Sequence, residues 1–174
     1  YNPWQDRFQS REDYAASDTM VDHLFANSDP RLAKYAAPVV SATGDTSKID
    51  YVEYGGATYA GMPYGVLNPG ILQTRISFLP SSIIYDGTSA GGMLYSYAQV
   101  CFSYAEAHLR GWTGLAGDAQ TWYELGIAAS HAQWGVADAD AATYLASVAP
   151  VSMETMATEK WVALYMQGWE AWSE

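Results

Sequence analysis

The chain has 174 residues, 49% of them hydrophobic, which is enough for one folded core. Its formal net charge of −11, with only 8 Lys and Arg, opposes binding to a nucleic-acid backbone or to an anionic membrane surface. A neutral ligand meets no such repulsion, and no apolar run of the roughly 18 residues that span a bilayer is present.

The first half, residues 1–91, is rich in turn-forming residues and predicts loops with a few short elements. Ser17 is placed to cap a helix over 18–26, because its hydroxyl can accept from a free backbone N–H of the first turn. A short helical turn is predicted at 30–35, where proline stands in the first turn. Weak alternation predicts short strands at 49–54 and 73–78.

The second half, residues 92–174, shows helical periodicity. A first helix is expected to end at Gly111, a residue suited to the left-handed position that follows a helix. A second helix is predicted over 115–133, with Gly126 and Ser130 allowing a neighbouring helix to come close. The expected inner face of the first helix comprises Leu94, Tyr97, Ala98, Cys101, Ala105, His108 and Leu109.

Two further helices are predicted to complete the chain. Asp138 or Asp140 is placed to cap a short one that ends near 148, and a last helix is expected from 152 to the end. Tryptophans 161, 169 and 172 are interpreted as core residues or as contacts to helices outside this chain. The predicted fold class is mainly α, with tetratricopeptide-like helical hairpins, an irregular loop-rich N-terminal part and short β-strands.

Several ordered motifs carry a family resemblance. They are NPW at 2–4, SDTMVD at 17–22, NSDPRL at 27–32, YAGMPYG at 59–65, YAQVCF at 97–102, and EKWVALY with GWEAW at 159–172. Together they resemble the SusD/RagB-like family of outer-membrane glycan-binding lipoproteins, in its SusD-like branch. Because that family runs to roughly three times this length, above the usual size of one domain, we expect residues 1–174 to be a single fragment from its later half.

The resemblance implies a cellular location, a ligand and a partner that composition does not show. It implies a lipoprotein exposed on the outer membrane, with a lipid anchor outside this fragment. It implies capture of a polysaccharide or oligosaccharide, in some relatives a peptide, and delivery to a SusC-type TonB-dependent transporter. No nucleic-acid partner is expected.

The residues give no sign of catalysis. Glu106, Glu124, Glu154, Glu159 and Glu170 lie on predicted helices, where charged side chains are mostly solvated. The histidines lack metal-ligand spacing, and no calcium loop or phosphate loop is complete. We therefore predict a protein that is not an enzyme and that has no metal and no cofactor.

A sugar site needs an exposed aromatic ring with hydrogen-bonding neighbours. Trp4 meets this description, with Asn2, Gln5 and Arg11 beside it in a polar loop, and Tyr64 in the Gly-Pro turn is a second candidate. The alternative for Trp4 is a residue that docks its loop onto the helices. Two other functions stay open: a helical-repeat module that binds protein and no sugar, and a glycoside hydrolase, which requires two facing carboxylates.

Overall fold

A computed structural model describes residues 14–40, 49–65, 75–84 and 93–174. The chain forms two compact units, one over residues 1–92 and one over 93–174. Each unit has its own internal packing.

The helices of the first unit are short, as its composition predicts. Helix α1 spans Asp18–Ala26, and Ser17 caps it as expected, since its hydroxyl accepts from the backbone N–H of Met20 at 3.3 Å. Helix α2 spans Leu32–Tyr35 and helix α3 spans Ser81–Ile84. The apolar face of α1 is buried, which confirms the prediction for Met20, Val21 and Leu24.

A fully buried ion pair links α1 to α2. Ser28 leaves the end of α1 with a positive φ of 52°, and Asp29 and Arg31 follow inside the protein. The Arg31 guanidinium donates from Nε to both carboxylate oxygens at 3.0 Å, and from a terminal nitrogen to Oδ2 of Asp29 at 2.6 Å. The backbone N–H of Arg31 also donates to Asp29 at 2.9 Å. The pair therefore fixes the turn between the two helices.

The sheet of the first unit is a two-stranded hairpin. Strand β1, Val52–Tyr54, pairs antiparallel with strand β2, Ala57–Tyr59, across Gly55 and Gly56. Both glycines have positive φ, which a two-residue hairpin turn requires. The prediction of a strand at 73–78 is wrong for the described residues 75–78, where only Phe78 forms an isolated bridge, to Ala15.

Three distant segments meet beside the hairpin. The backbone N–H of Ala16 donates to Ser77 at 3.0 Å, and that of Met62 donates to Ala16 at 2.7 Å. Gly61 lies so close to α1 that an added Cβ would stand 2.1 Å from the Cα of Asp18. Because no side chain fits between position 61 and α1, the YAGMPYG motif has glycine at position 61.

The second unit is built on a helical hairpin. Helix α4, Tyr97–Leu109, packs along helix α5, Ala119–Gln133. At Gly126 an added Cβ would meet the ring of Phe102 at 2.8 Å, so the glycine permits the close approach of α4 to α5. Gly111 has a φ of 77° and follows α4 as predicted. The shared core comprises Ala98, Phe102, Ala105, Tyr123, Ile127, Tyr144, Met156 and Ala163.

The later helices are shorter than expected. Helix α6 spans Asp138–Leu145, and its cap residue, Ala137, makes no side-chain cap, so the two aspartates stand in the first turn instead. Helix α7 spans Met153–Ala163 and helix α8 spans Gly168–Ser173. The prediction of a single last helix is therefore wrong: the chain breaks at Met166, whose φ is 70°.

Two further expectations need correction. Helix α5 begins at Ala119 and not near 115, because Asp118 caps it by accepting from Thr121 at 2.9 Å. On α4, Ala98, Cys101 and Ala105 are buried as predicted, whereas Tyr97 is exposed, and Leu94 lies before the helix and is also exposed. The mainly helical fold with short strands is confirmed. None of the helices in the described ranges is both long and apolar enough to cross a membrane.

Candidate functional site

Most of the predicted glycan site lies outside the described residues. Trp4, Asn2, Gln5 and Arg11 all fall within 1–13, so their grouping stays a prediction. Tyr64 is described, and it is the predicted site residue whose surroundings can be examined.

Tyr64 stands on an anchored turn with its ring in solvent. Its side chain is 79% exposed. Two residues earlier, Met62 donates its N–H to Ala16 and accepts from the N–H of Asp18 at 3.1 Å, so the turn is fixed to the start of α1. Gly65 follows with a φ of 76°. An exposed ring on a fixed turn offers a flat apolar face to a ligand without a large ordering cost.

Other aromatic rings are exposed in the second unit. Trp169 and Trp172 are both 87% exposed on α8, so they do not belong to the core of this unit, and contacts to helices outside this chain remain the prediction for them. Trp112, between Gly111 and Gly114 in the loop after α4, is not among the predicted site residues; a tryptophan in a glycine-rich loop is the signal that would have found it. The exposed rings of this unit are Tyr95, Tyr97, Tyr104, Trp112, Trp169 and Trp172.

One aromatic pair is fixed against the α4–α5 hairpin. The rings of Tyr104 and Trp122 stack with centroids 4.6 Å apart and an interplanar angle of 24°. The Trp122 indole N–H donates to the carbonyl of Ala116 at 2.7 Å, and His108 Nε2 lies 3.2 Å from the same oxygen. His108 is half-buried, and its contact with Ala116 holds the loop to α4.

The carboxylates differ in their surroundings. Glu159, which the sequence places in solvent, is buried, and its carboxylate accepts a hydrogen bond from the hydroxyl of Tyr144 at 2.6 Å. Burial raises the pKa of the Cys101 thiol, although a hydrogen bond with Tyr97 works against this. The thiol is therefore protonated at neutral pH, as expected for an inert buried cysteine.

A compact ion cluster joins α4, α7 and the end of the chain. Lys160 is buried and contacts Glu174 and Glu106, the latter at 3.5 Å. Arg110 donates from Nε to Glu106 at 2.8 Å. Burial opposes ionisation of Glu106, but the hydrogen bond from Arg110 and the positive charges of Lys160 and Arg110 outweigh it and hold the pKa below its ordinary 4.5.

The ionisable groups described above are engaged by neighbouring side chains. Within 14–40, 49–65, 75–84 and 93–174, no three His, Cys, Asp or Glu side chains are grouped so that they could hold a metal ion. The carboxylates of Glu106 and Glu174 both pair with Lys160, and that of Glu159 with Tyr144.

Comparison with known families gives one match that covers residues 1–174. The matching family is SusD-like, described as starch-binding and associating with the outer membrane. No curated protein matches the chain significantly.

Solved structures share the fold. A chitin-binding protein superimposes with a TM-score of 0.71 at 25% identity, over 91% of this chain and 36% of its own. A SusD homolog from Bacteroides vulgatus gives 0.65 at 26% identity, over 89% and 35%. A SusD homolog from Parabacteroides distasonis gives 0.53 at 29% identity, over 78% and 28%. The chain thus spans about a third of the length of these relatives.

Proposed function

This chain belongs to the SusD-like family, and on that premise we propose that it serves the non-catalytic capture of a polysaccharide or oligosaccharide at the bacterial cell surface. The observation that carries the proposal is the family match over residues 1–174. Starch, from the family description, and chitin, from the name of a solved relative, are the first glycans to consider. Both are neutral, in keeping with a net charge of −11 that repels anionic polymers.

The binding chemistry would rest on aromatic rings in loops. A sugar ring has an apolar C–H face and hydroxyls at its edge, so it stacks on an exposed aromatic ring while polar neighbours bind the hydroxyls. Tyr64 supports this role through its exposure and its anchored turn. Trp4, with Asn2, Gln5 and Arg11, remains the second proposed part of the site.

The proposal includes a place in the cell. The family is described as associating with the outer membrane. We extend this to a surface-exposed lipoprotein that passes its glycan to a SusC-type TonB-dependent transporter. The lipid anchor of that lipoprotein would lie outside residues 1–174.

A second candidate function is a protein-interaction module without sugar binding. The exposed pair Trp169 and Trp172 favours it, because large apolar rings on one helix are typical of protein contacts. This candidate predicts capture of the transporter but no glycan affinity.

Calorimetric titration with starch, chitin oligosaccharides and other neutral glycans tests the proposal. We expect binding that is weakened by Tyr64→Ala and by Trp4→Ala, because each variant removes a stacking surface. Tyr97→Ala, which removes another exposed tyrosine, from the second unit, is the matched control and should bind as the parent does. Absence of binding to every glycan, together with capture of the transporter in a pull-down, would favour the interaction module.

A further inference from the structure

A small groove opens on the second unit beside the ion cluster. Its volume is about 120 Å³, and it lies between α4, α7 and α8. The apolar part of its lining includes Met153, Met156, Trp161 and Ala171. Drug-sized ligands occupy sites of roughly 300–1,000 Å³, so this groove has room for one small ring and not for a length of polymer.

The polar part of the groove is charge-balanced. Two carboxylates, Glu106 and Glu174, face two cations, Arg110 and Lys160. An anionic ligand would approach two carboxylates, and a cationic ligand would approach the guanidinium and the ammonium. Because either charge meets repulsion as well as attraction, the groove favours a neutral ligand.

The same side chains keep hydrogen-bonding capacity. Arg110 directs Nε and one terminal nitrogen to a single oxygen of Glu106, at 2.8 and 2.7 Å, and a guanidinium has further N–H donors. Each carboxylate oxygen has more than one lone pair and can accept from a hydroxyl. The rim therefore offers donors and acceptors side by side, which matches a hydroxyl group that both donates and accepts.

We propose that this groove binds one neutral pyranose residue of a glycan. The C–H face of the sugar lies on the apolar lining with Trp161, and its hydroxyls bind Arg110 and Glu174 at the rim. The inference rests on the proposed glycan capture and adds to it a sugar subsite lined by residues of the second unit.

A groove-filling variant of the 174-residue chain tests the subsite. Ala157 lines the groove and is exposed, so Ala157→Phe places a ring in the groove without disturbing the core. Ala128→Phe makes the same change at an exposed position of α5 away from the groove. With maltotriose and N,N′-diacetylchitobiose as probes in calorimetry, we expect Ala157→Phe to raise Kd by roughly tenfold or more and Ala128→Phe to leave it unchanged.

A second measurement needs no substitution. In two-dimensional NMR of the parent chain, the probes should shift the indole resonance of Trp161 and the amide of Ala157. Glucuronate and glucosamine, which carry opposite charges, should each bind more weakly than glucose. Tighter binding of either charged sugar would overturn the assignment to a neutral ligand.

The possible outcomes distinguish failure of the subsite proposal from failure of the glycan-capture proposal. If the probes bind and Ala157→Phe has no effect, or if shifts appear only away from Trp161, the subsite is wrong and glycan capture stands. If none of the short sugars binds, the subsite is also wrong, and polysaccharide titration then decides on glycan capture by itself.

Discussion

The guanidinium of Arg31 and the carboxylate of Asp29 are both fully shielded from solvent and form an ion pair at 2.6 Å. Removing the guanidinium takes from the buried Asp29 carboxylate its ion pair, which is costly because a buried charge loses a favourable interaction. We expect Arg31→Ala to lower the free energy of unfolding by roughly 3–5 kcal/mol, measured by urea denaturation. Lys34→Ala takes one positive charge from the neighbouring helix α2 and is the control; a comparable loss there would show that charge number, and not the buried pair, matters.

Glu106 predicts a pH dependence of stability. Its pKa is held below the ordinary 4.5 in the folded protein, so ionised Glu106 is favoured by folding. This contribution is complete above about pH 4.5 and is lost as the pH falls through the lower folded pKa. The difference in unfolding free energy between the parent and Glu106→Gln should therefore be largest near neutrality and shrink in acid.

The matched control for that pH series is Glu124→Gln, at an exposed glutamate on α5. Its effect on unfolding should be small across the range. A Glu106→Gln effect that grew with falling pH would contradict the assigned direction of the pKa shift.

At the scale of elements, the α4–α5 contact depends on the absence of a side chain. Gly126→Ala would bring a Cβ to within 2.8 Å of the Phe102 ring. We expect the variant to be less stable than the parent, because overpacking costs about 1–3 kcal/mol and exceeds the gain in helix propensity of about 1 kcal/mol. In a Phe102→Leu background the same change should be neutral or stabilising, and thermal denaturation of the four proteins measures the reversal.

The starts of α1 and α7 agree with the sequence, whereas α5 was expected near 115 although Asp118 caps it at Ala119. Ser17 and Ser152 accept from backbone N–H groups within their own first turn, so the signal lies within a few residues. The break between α7 and α8 was not predictable, because Met166 adopts a left-handed conformation that its residue type disfavours. The periodic pattern runs on through the break and predicts one helix.

Burial on the helices was predictable only in part. Periodicity separates one face from another, and it places Ala98, Cys101 and Ala105 correctly. It cannot show whether a neighbour covers the second apolar face, so it leaves Trp169 and Trp172 between the core and contacts outside this chain, and the structure excludes the core. For the candidate site, residue type marks Tyr64, but the groove beside Lys160 joins residues more than sixty positions apart and leaves no local pattern.

At the scale of the whole molecule, the charge of −11 predicts how glycan binding responds to salt. A neutral polysaccharide has no counterions to exchange, so its Kd should change little between low and high ionic strength. An anionic polysaccharide such as polygalacturonate should be repelled, most strongly at low salt. Parallel calorimetric titrations in two salt concentrations test this, and a steep salt dependence for starch would show that charged groups dominate the interface.

The approach of Gly61 to the backbone of Asp18 has a consequence for the order of events during folding. It brings together segments over forty residues apart. Ser77, which lies farther along the chain, accepts a hydrogen bond from Ala16 at the same junction. Closing such loops costs chain entropy before any contact compensates for it. The second unit instead grows from a hairpin of sequential helices, whose contacts are local. Because folding slows as contacts become less local, we expect residues 93–174 to acquire protection from hydrogen exchange first, and the junction at Gly61 to complete last.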